Sequence, residues 1–354
     1  MRKLGVAVIG ATGTVGQRII QLLNNHPYFE VTELFASSRS AGKPYNQTVN
    51  WLIGGEPSQS VNDMIVRGVD QTPDSSLVFS ALPSEIAAEV ELRNALRGKV
   101  VISKSSALRY EPDVPLIVPE VNTNHLRLLN KQKANRKMKG CIITDPNCTT
   151  TGLVLTLAPF IDIGLKEVFV NTMQALSGAG FPGVASLSIQ DNIIPYIPGE
   201  EEKIRIESKK ILGRYARNSI IEASFSVFAF CSRVPVLDCH TESVHLRFDC
   251  QIDVHEAESI LSNFTSEPQR LKLHSAPEKP VIVMKQSDRP QPRLDKDNGK
   301  GMSTTVGRLR QGIDDNSIAY TLCSHNTIRG AAGSSILDAE FLLKTGLLSK
   351  LAEQ

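Results

Sequence analysis

Residues 4–23, LGVAVIGATGTVGQRIIQLL, decide the fold class. Residues 4–10 form an apolar run that ends in glycine, the pattern of a strand buried on both faces. Val15, Ile19, Leu22 and Leu23 then recur at helical spacing, and Pro27 closes that helix. Between strand and helix lie Gly10, Gly13 and Gly16, with Thr12, Thr14 and Val15 among them. Glycines at such a junction let the backbone turn tightly and approach a pyrophosphate, and the free N–H groups of the helix start bind that anion. The stretch therefore predicts a dinucleotide site at the N-terminus of a Rossmann-type sheet.

Outward from this unit the pattern repeats. Strands are expected at 31–36, 76–83, 99–103 and 140–144, with Ser84 capping a helix that Gly98 ends. Strands alternating with helices give an α/β domain with a parallel sheet. After residue 147 the pattern changes. A helix is expected from Cys148 to Phe160, followed by strands of period two such as SVHLRF (243–248), where Val244, Leu246 and Phe248 share a face. This second part reads as an α+β catalytic and dimerisation domain with a mostly antiparallel sheet. Residues 264–302, rich in proline and charge, read as surface loops. Residues 330–347 read as a helix returning to the first sheet. The expected division is 1–147 with 330–354 for the cofactor domain and 148–329 for the catalytic domain.

A length of 354 residues suits two domains. With 39 basic and 37 acidic residues, the charge gives no reason to expect a nucleic-acid or membrane partner. The basic run Lys131 to Lys139 reads as a solvated helix end or loop. No stretch is apolar enough to span a bilayer and none resembles a signal core, so a cytoplasmic protein is expected. The six cysteines (Cys141, Cys148, Cys231, Cys239, Cys250 and Cys323) show no metal-type pair, so free thiols and no metal are expected, with Cys141 and Cys323 as buried fillers.

Two further features concern chemistry. An NAD enzyme places a carboxylate about 20 positions past the glycines. Here that region holds Ser37, Ser38, Arg39, Ser40 and Lys43. Hydroxyls and cations suit a 2′-phosphate, so NADP is expected as cofactor. In DPNCTTTGL (145–153), Cys148 opens a helical run, where the positive end of the helix dipole favours thiolate, the form an acyl-transfer nucleophile needs.

Along nearly the whole chain the sequence resembles the aspartate-semialdehyde dehydrogenase family, most of all its archaeal and fungal branch. The strings that carry the resemblance are GATGTVGQR, SALPSEIA, PDVPLIVPEVN, PNCTTTGL, QALSGAGFPG, GEEEKI, RVPVLDCHTE, RPQPRLD and NTIRGAAG. The resemblance implies that Cys148 is the nucleophile and Asn147 a substrate or phosphate contact. It implies that His240 is the acid/base, Gln174 positions the acyl intermediate and Arg233 forks the substrate carboxylate. Glu200 then holds the substrate amine, with Glu201 as the alternative, while Lys203 and Arg109 hold phosphate. Asn326 contacts the nicotinamide, and Ser80 and Pro83 belong to the cofactor wall. Seven positions separate Arg233 from His240, so a single straight strand would place them on opposite faces and a bend is needed. The family string carries glycine where Cys239 stands, a departure that bears on local backbone shape. The implied reaction is NADPH-dependent reduction of L-4-aspartyl phosphate to L-aspartate 4-semialdehyde through a cysteine thioester. It serves lysine, threonine and methionine biosynthesis in a homodimer or homotetramer. An acyl-CoA reductase acting on malonyl-CoA is the alternative within the same fold; an NADP-binding regulator without turnover has no use for the polar constellation.

Overall fold

The computed structural model describes residues 3–352. Its first part runs β1 (Leu4–Ile9), α1 (Thr14–Leu23), β2 (Phe29–Ala36), β3 (Arg67–Gly68), β4 (Leu77–Ser80), α2 (Ser84–Leu96), β5 (Val100–Ser103), α3 (Leu128–Arg136) and β6 (Cys141–Thr144). The six strands form one sheet in the order β3-β2-β1-β4-β5-β6, with every pairing parallel. Strand β1 shows why its sequence is uniformly apolar. Val6 and Val8 enter a core with Ile19, Ile20 and Leu23, while Ala7 and Ile9 enter the core on the opposite face with Ala87, Val90 and Ile142. Both faces are covered, as parallel sheets require. Each large apolar side chain so buried contributes about 1.5–3 kcal/mol relative to exposure.

Because β2 lies on one side of β1 and β4 on the other, successive crossovers leave in opposite directions. A crevice opens at the C-terminal end of β1, where they part. The glycine loop lies there. Gly10 has φ +85°, and a Cβ on Gly16 would run into the Gly10 carbonyl. One local expectation fails. Ser84 does not cap α2 but is its first residue, with Pro83 at the cap position, and the Ser84 hydroxyl instead meets that of Ser106 at 2.8 Å. Gly98, at φ +87°, follows the helix end as expected.

The second part comprises α4 (Cys148–Leu157), β7 (Leu165–Gln174), α5 (Glu200–Ile211), β8 (Arg214–Ala216), β9 (Ser219–Ile221), β10 (Ser226–Arg233), β11 (His240–Phe248), α6 (Val254–Ser262), β12 (Val281–Val283), β13 (Thr304–Gln311) and β14 (Ser317–Ser324). Six of these strands form a sheet in the order β10-β7-β11-β14-β13-β12. Three pairings are antiparallel and two, β10 with β7 and β12 with β13, are parallel. The sheet is thus mixed, because the long connections after β7 and β12 leave room for a parallel return. Val244, Leu246 and Phe248 do share the buried face. Helix α4 is buried on every side past Cys148, its threonines included. Leu153, Val154, Leu155 and Leu157 pack with Val168, Val170, Val244 and Ile318. Residues 264–302 are not only surface loops, since they supply β12 and bury Leu273, Asp295 and Met302.

The chain ends in α7 (Gly333–Lys344) and α8 (Leu347–Ala352), whose Ile336, Leu337, Phe341 and Leu348 enter the same core as Val6 and Val8. Cys239 and Cys323 are joined by a disulfide, their Cα atoms 6.3 Å apart, so these two cysteines are not free thiols. The pairing follows from strand register. Thr241 faces Cys323 across β11 and β14, which sets Cys239 diagonally opposite it. Cys141 is a buried free thiol, pushed up to about 12 by burial. Among the described residues no helix is long and apolar enough to cross a membrane.

Candidate active site

A cleft of about 1130 Å³ runs from the glycine loop to the start of α4. Gly10, Thr12, Gly13, Thr14, Val15, Ser37, Ser38 and Pro83 line one end, and Arg109, Asn147, Cys148, Glu200, Lys203 and Asn326 line the other. Helix α1 has no side-chain cap, so the amides of its first turn remain open to an anion. Together with the closed glycine turn, this fits a dinucleotide diphosphate. Gly16 lies behind the loop, and Arg39 is exposed near the rim without lining the cleft. Ser80 is turned away. It is 1% exposed, and its hydroxyl donates to Glu91 at 2.7 Å, with Ser103 doing the same at 2.6 Å. Burial pushes the Glu91 carboxyl up to about 7.

Cys148 is the first residue of α4, and the helix start is built by Asn147. The Asn147 side chain accepts the N–H groups of Thr149 and Thr150 at 3.0 and 3.3 Å, a cap that α4 needs because its end is buried. The same amide donates to Glu200 at 2.8 Å, and the Asn147 backbone N–H donates to Glu207 at 2.6 Å. Glu200 also accepts from Lys203 at 2.7 Å. Glu201 points elsewhere and accepts from the backbone of Cys231.

The ends of three strands supply the other polar groups. Arg233 closes β10, Gln174 closes β7 and His240 opens β11; Arg233 and Gln174 face each other across the parallel pairing. The spacing of Arg233 and His240 is resolved because they stand on separate strands with β7 between them. The turn that joins those strands has Cys239 at φ +84°, a conformation that favours glycine. Both side chains converge on Gly178, where a Cβ would stand 3.0 Å from Arg233 Nη1 and from His240 Cε1. Arg233 donates to the Ala175 carbonyl at 2.7 Å, and Gln174 reaches Glu200 at 3.4 Å. Asn326 accepts from the Cys239 N–H and donates to Ser177, both at 2.8 Å.

His240 Nε2 lies 3.1 Å from Cys148 Sγ. The other ring nitrogen, Nδ1, accepts the N–H of Ala175 at 3.0 Å. That fixes the tautomer: a neutral ring whose Nδ1 accepts carries its proton on Nε2, so His240 donates toward sulfur. Burial, then the Arg233 charge, holds His240 down to about 3, so the ring is neutral. The thiol does not behave as the helix dipole alone predicts. Burial and then Glu200 push Cys148 up to about 11, against the pull of Lys104 and Arg109. Cys148 is therefore held largely as thiol until the local charge balance changes.

Two residues absent from the sequence reading complete the site. Glu207, fully buried on α5, accepts from Arg109 at 3.0 Å and Tyr110 at 3.3 Å as well as from Asn147. Lys104 follows β5 and lines the cleft. Its amine donates to the carbonyls of Pro146 and Gly330, each at 2.9 Å, and lies 3.9 Å from Asp145. A lysine immediately past the C-terminal end of a buried strand was the available signal, since ligand sites of such sheets gather at that end. Gly330 comes from the returning segment and packs on Cys148; a Cβ there would stand 2.6 Å from the Cys148 Cβ. Its neighbour Arg329, fully buried, anchors the segment by a bidentate pair with Glu120 at 2.8 and 2.5 Å.

Comparison with known proteins gives a consistent picture. Residues 5–129 match the family model described as semialdehyde dehydrogenase, NAD binding domain, and residues 157–329 match semialdehyde dehydrogenase, dimerisation domain. The chain is 50% identical to an aspartate-semialdehyde dehydrogenase of Methanothermobacter thermautotrophicus, over 96% of this chain and 99% of the relative. It is 39% identical to a malonyl CoA reductase (NADP) of Metallosphaera sedula, over 99% of each. The crystal structure of the Candida albicans aspartate semialdehyde dehydrogenase with NADP superposes with a TM-score of 0.89 at 38% identity, covering 97% of this chain and 99% of that one.

Proposed function

The chain belongs to the aspartate-semialdehyde dehydrogenase family, and from that premise we propose how its residues carry out the reaction. It is an NADP-dependent enzyme that converts L-4-aspartyl phosphate to L-aspartate 4-semialdehyde in amino-acid biosynthesis. The observation that carries this reading is the approach of His240 to Cys148, 3.1 Å apart, with the buried ring behind a sulfur-bearing residue that lines a cleft whose far end is a dinucleotide loop.

The Cys148 thiolate, its proton released to solvent before attack, adds to the acyl carbon, and the bond to phosphate breaks; the charge of the leaving phosphate is met by Lys203 and by the free donors of Arg109. Glu200 takes the substrate ammonium, and Arg233 takes its carboxylate in a bidentate grip. Glu200 opposes the thiolate even while paired with Lys203, and a substrate ammonium beside it adds a second cation that weakens this opposition, so substrate binding favours ionisation of Cys148. Gln174 and the second amide hydrogen of Asn147 orient the acyl oxygen. When bound, NADPH supplies the hydride to the acyl carbon. The Nε2–H of His240 stabilises the oxyanion that develops, and collapse releases the aldehyde and restores the thiolate. Gly10, Thr12, Gly13, Thr14, Val15 and Gly16 form the diphosphate turn, Ser37, Ser38 and Arg39 take the 2′-phosphate, and Pro83 and Asn326 border the nicotinamide end. Ser80 supports this wall from behind through Glu91.

The specificity for NADP gives a direct test. Arg39→Ala raises the KM for NADP by about tenfold, the value of one charge-assisted hydrogen bond, and leaves the KM for NAD within about twofold. Equal changes for both cofactors overturn the assignment.

The family reading is tested by following NADP reduction with L-aspartate semialdehyde in the presence of phosphate or of coenzyme A. The proposed enzyme requires phosphate and ignores coenzyme A. The reverse result assigns the chain to the malonyl-CoA reductase type, which the similarity to the Metallosphaera sedula protein makes the second reading.

The oligomer is proposed to form through the open face of the second sheet. Phe169, Phe228 and Phe230 there are 45%, 54% and 56% exposed, with the Phe228 ring centroid 6.1 Å from that of Phe169 and 5.2 Å from that of Phe230, an aromatic surface too apolar for open water. Burial between two copies gives a homodimer, and a homotetramer requires a second contact. A reaction that draws on NADPH and a labile acyl phosphate belongs in the cytoplasm. The Cys239–Cys323 bond is compatible with a reducing compartment, because both residues are buried away from soluble thiols.

A further inference from the structure

We propose that Lys104 is the counter-charge and positioning residue of the nucleophile; this rests on Cys148 being the nucleophile and goes beyond it. The amine of Lys104 meets three acceptors: the Pro146 carbonyl, the Gly330 carbonyl and, farther off, Asp145. A neutral amine would turn a lone pair toward one of them, whereas an ammonium offers three donors and no acceptor. The site therefore selects the cation. The two carbonyls belong to the two segments that enclose Cys148: Pro146 lies two residues before it and Gly330 packs on its Cβ. One ammonium thus fixes both walls of the nucleophile and sets a positive charge behind them.

Two of the neighbouring cations already have carboxylate partners, and a third, Arg233, donates to the Ala175 carbonyl. Arg109 is paired with Glu207, and Lys203 is paired with Glu200. The carboxylate nearest to Lys104 is shared. Asp145 accepts the Ser335 hydroxyl, and burial followed by the Asp145 charge drives Asp338 well above the usual carboxylate range, so Asp338 stays protonated against Asp145. A protonated Asp338 adds no charge of its own against Lys104, and Asp145 stands 3.9 Å from the amine, outside hydrogen-bond distance. Burial lowers the pKa of Lys104, while Asp145, Cys148 and Glu207 raise it and Arg109 lowers it further. Around the sulfur itself stand Glu200 from α5, Arg109 and Lys104 from the loop after β5, Arg233 from β10 and neutral His240 from β11. An ionised sulfur and a protonated Lys104 therefore support one another.

The test uses no substrate. The rate of Cys148 alkylation by iodoacetamide is measured at pH 8 in a Cys250→Ser background, which removes the exposed thiol, and is read by mass spectrometry of the Cys148 peptide. The variants are Lys104→Met, Lys104→Gln and Lys104→Arg, with NADP-induced thermal stabilisation as the check on folding. In Lys104→Met and Lys104→Gln the rate falls by about tenfold or more, and in Lys104→Arg it stays within about threefold of the parent. Glutamine keeps two donors for the two carbonyls but carries no charge. An unchanged rate in folded Lys104→Gln overturns the proposal, and that variant decides the question even if Lys104→Met does not fold. Because the probe is indifferent to the acyl substrate, a failed phosphate assay and a failed Lys104 test are separate outcomes.

Discussion

Cys148→Ser lowers kcat by at least roughly two orders of magnitude, about 3 kcal/mol or more of transition-state stabilisation, with the KM for NADP within about twofold of the parent. The loss is large because the sulfur does what no neighbour can. Among the groups around it, His240 donates, Arg233 and Lys104 are cations, and Gln174 and Asn147 are amides. The carboxylate among them, Glu200, is engaged with Lys203 and Asn147. A serine hydroxyl at the same position has no base to deprotonate it, since Nδ1 of His240 already accepts the Ala175 N–H and Nε2 carries the ring proton. The check is a single-turnover experiment in the oxidative direction. The parent gives a burst of NADPH on mixing with aldehyde without phosphate, and the variant gives none. Near-parent turnover of Cys148→Ala would end the covalent scheme.

The second large effect is at His240. His240→Ala lowers kcat by roughly 10²–10⁴-fold, the usual scale for a lost acid/base or oxyanion donor. The fixed tautomer makes a sharper statement. His240→Gln returns an amide N–H near the position of Nε2 and recovers about tenfold over His240→Ala. If the ring acted instead by taking the thiol proton, glutamine would recover nothing. The pH profile separates the same alternatives. The folded pKa, near 3, lies below the ordinary histidine value of about 6.5. Between those two values the unfolded ring takes up a proton that the folded ring refuses, so stability is lost as pH falls through that window. Activity, by contrast, gains no limb from His240 between about pH 5 and 8. An acid limb of kcat in that range that vanishes in His240→Gln would refute the neutral ring.

The parts of this site that were legible in the sequence are those fixed by local backbone. The turn Gly10–Gly16 is read within seven residues because one helix start and one strand end determine it. Cys148 at the first position of α4 is likewise local. The parts that were not legible depend on distant partners. Glu207 is 60 positions from the Asn147 amide it holds, and Lys104 is 226 from the Gly330 carbonyl. The sequence shows a charged residue in each case and cannot show that the residue is buried. Ser80 was assigned to the cofactor wall from a string, but its hydroxyl turns to Glu91, a partner on the next helix. The sulfur's acid strength was misjudged for the same reason, because a dipole can be read from a helix start whereas burial and the proximity of Glu200 cannot. Alternation in 243–248 identified the buried face of β11 correctly, yet period two is common to both strand directions and left the parallel pairings at β7 and β12 unseen.

The returning segment has a consequence for how the molecule comes into being. Gly330, which packs against Cys148, and Ile336 and Leu337, which fill the core beneath β1, are translated more than three hundred residues after that strand. While the ribosome is still at work, the nascent first sheet lacks part of its own interior, and the thiol of Cys148 has no neighbour on that side. Competence for chemistry therefore waits until residue 330 and the helix after it have emerged.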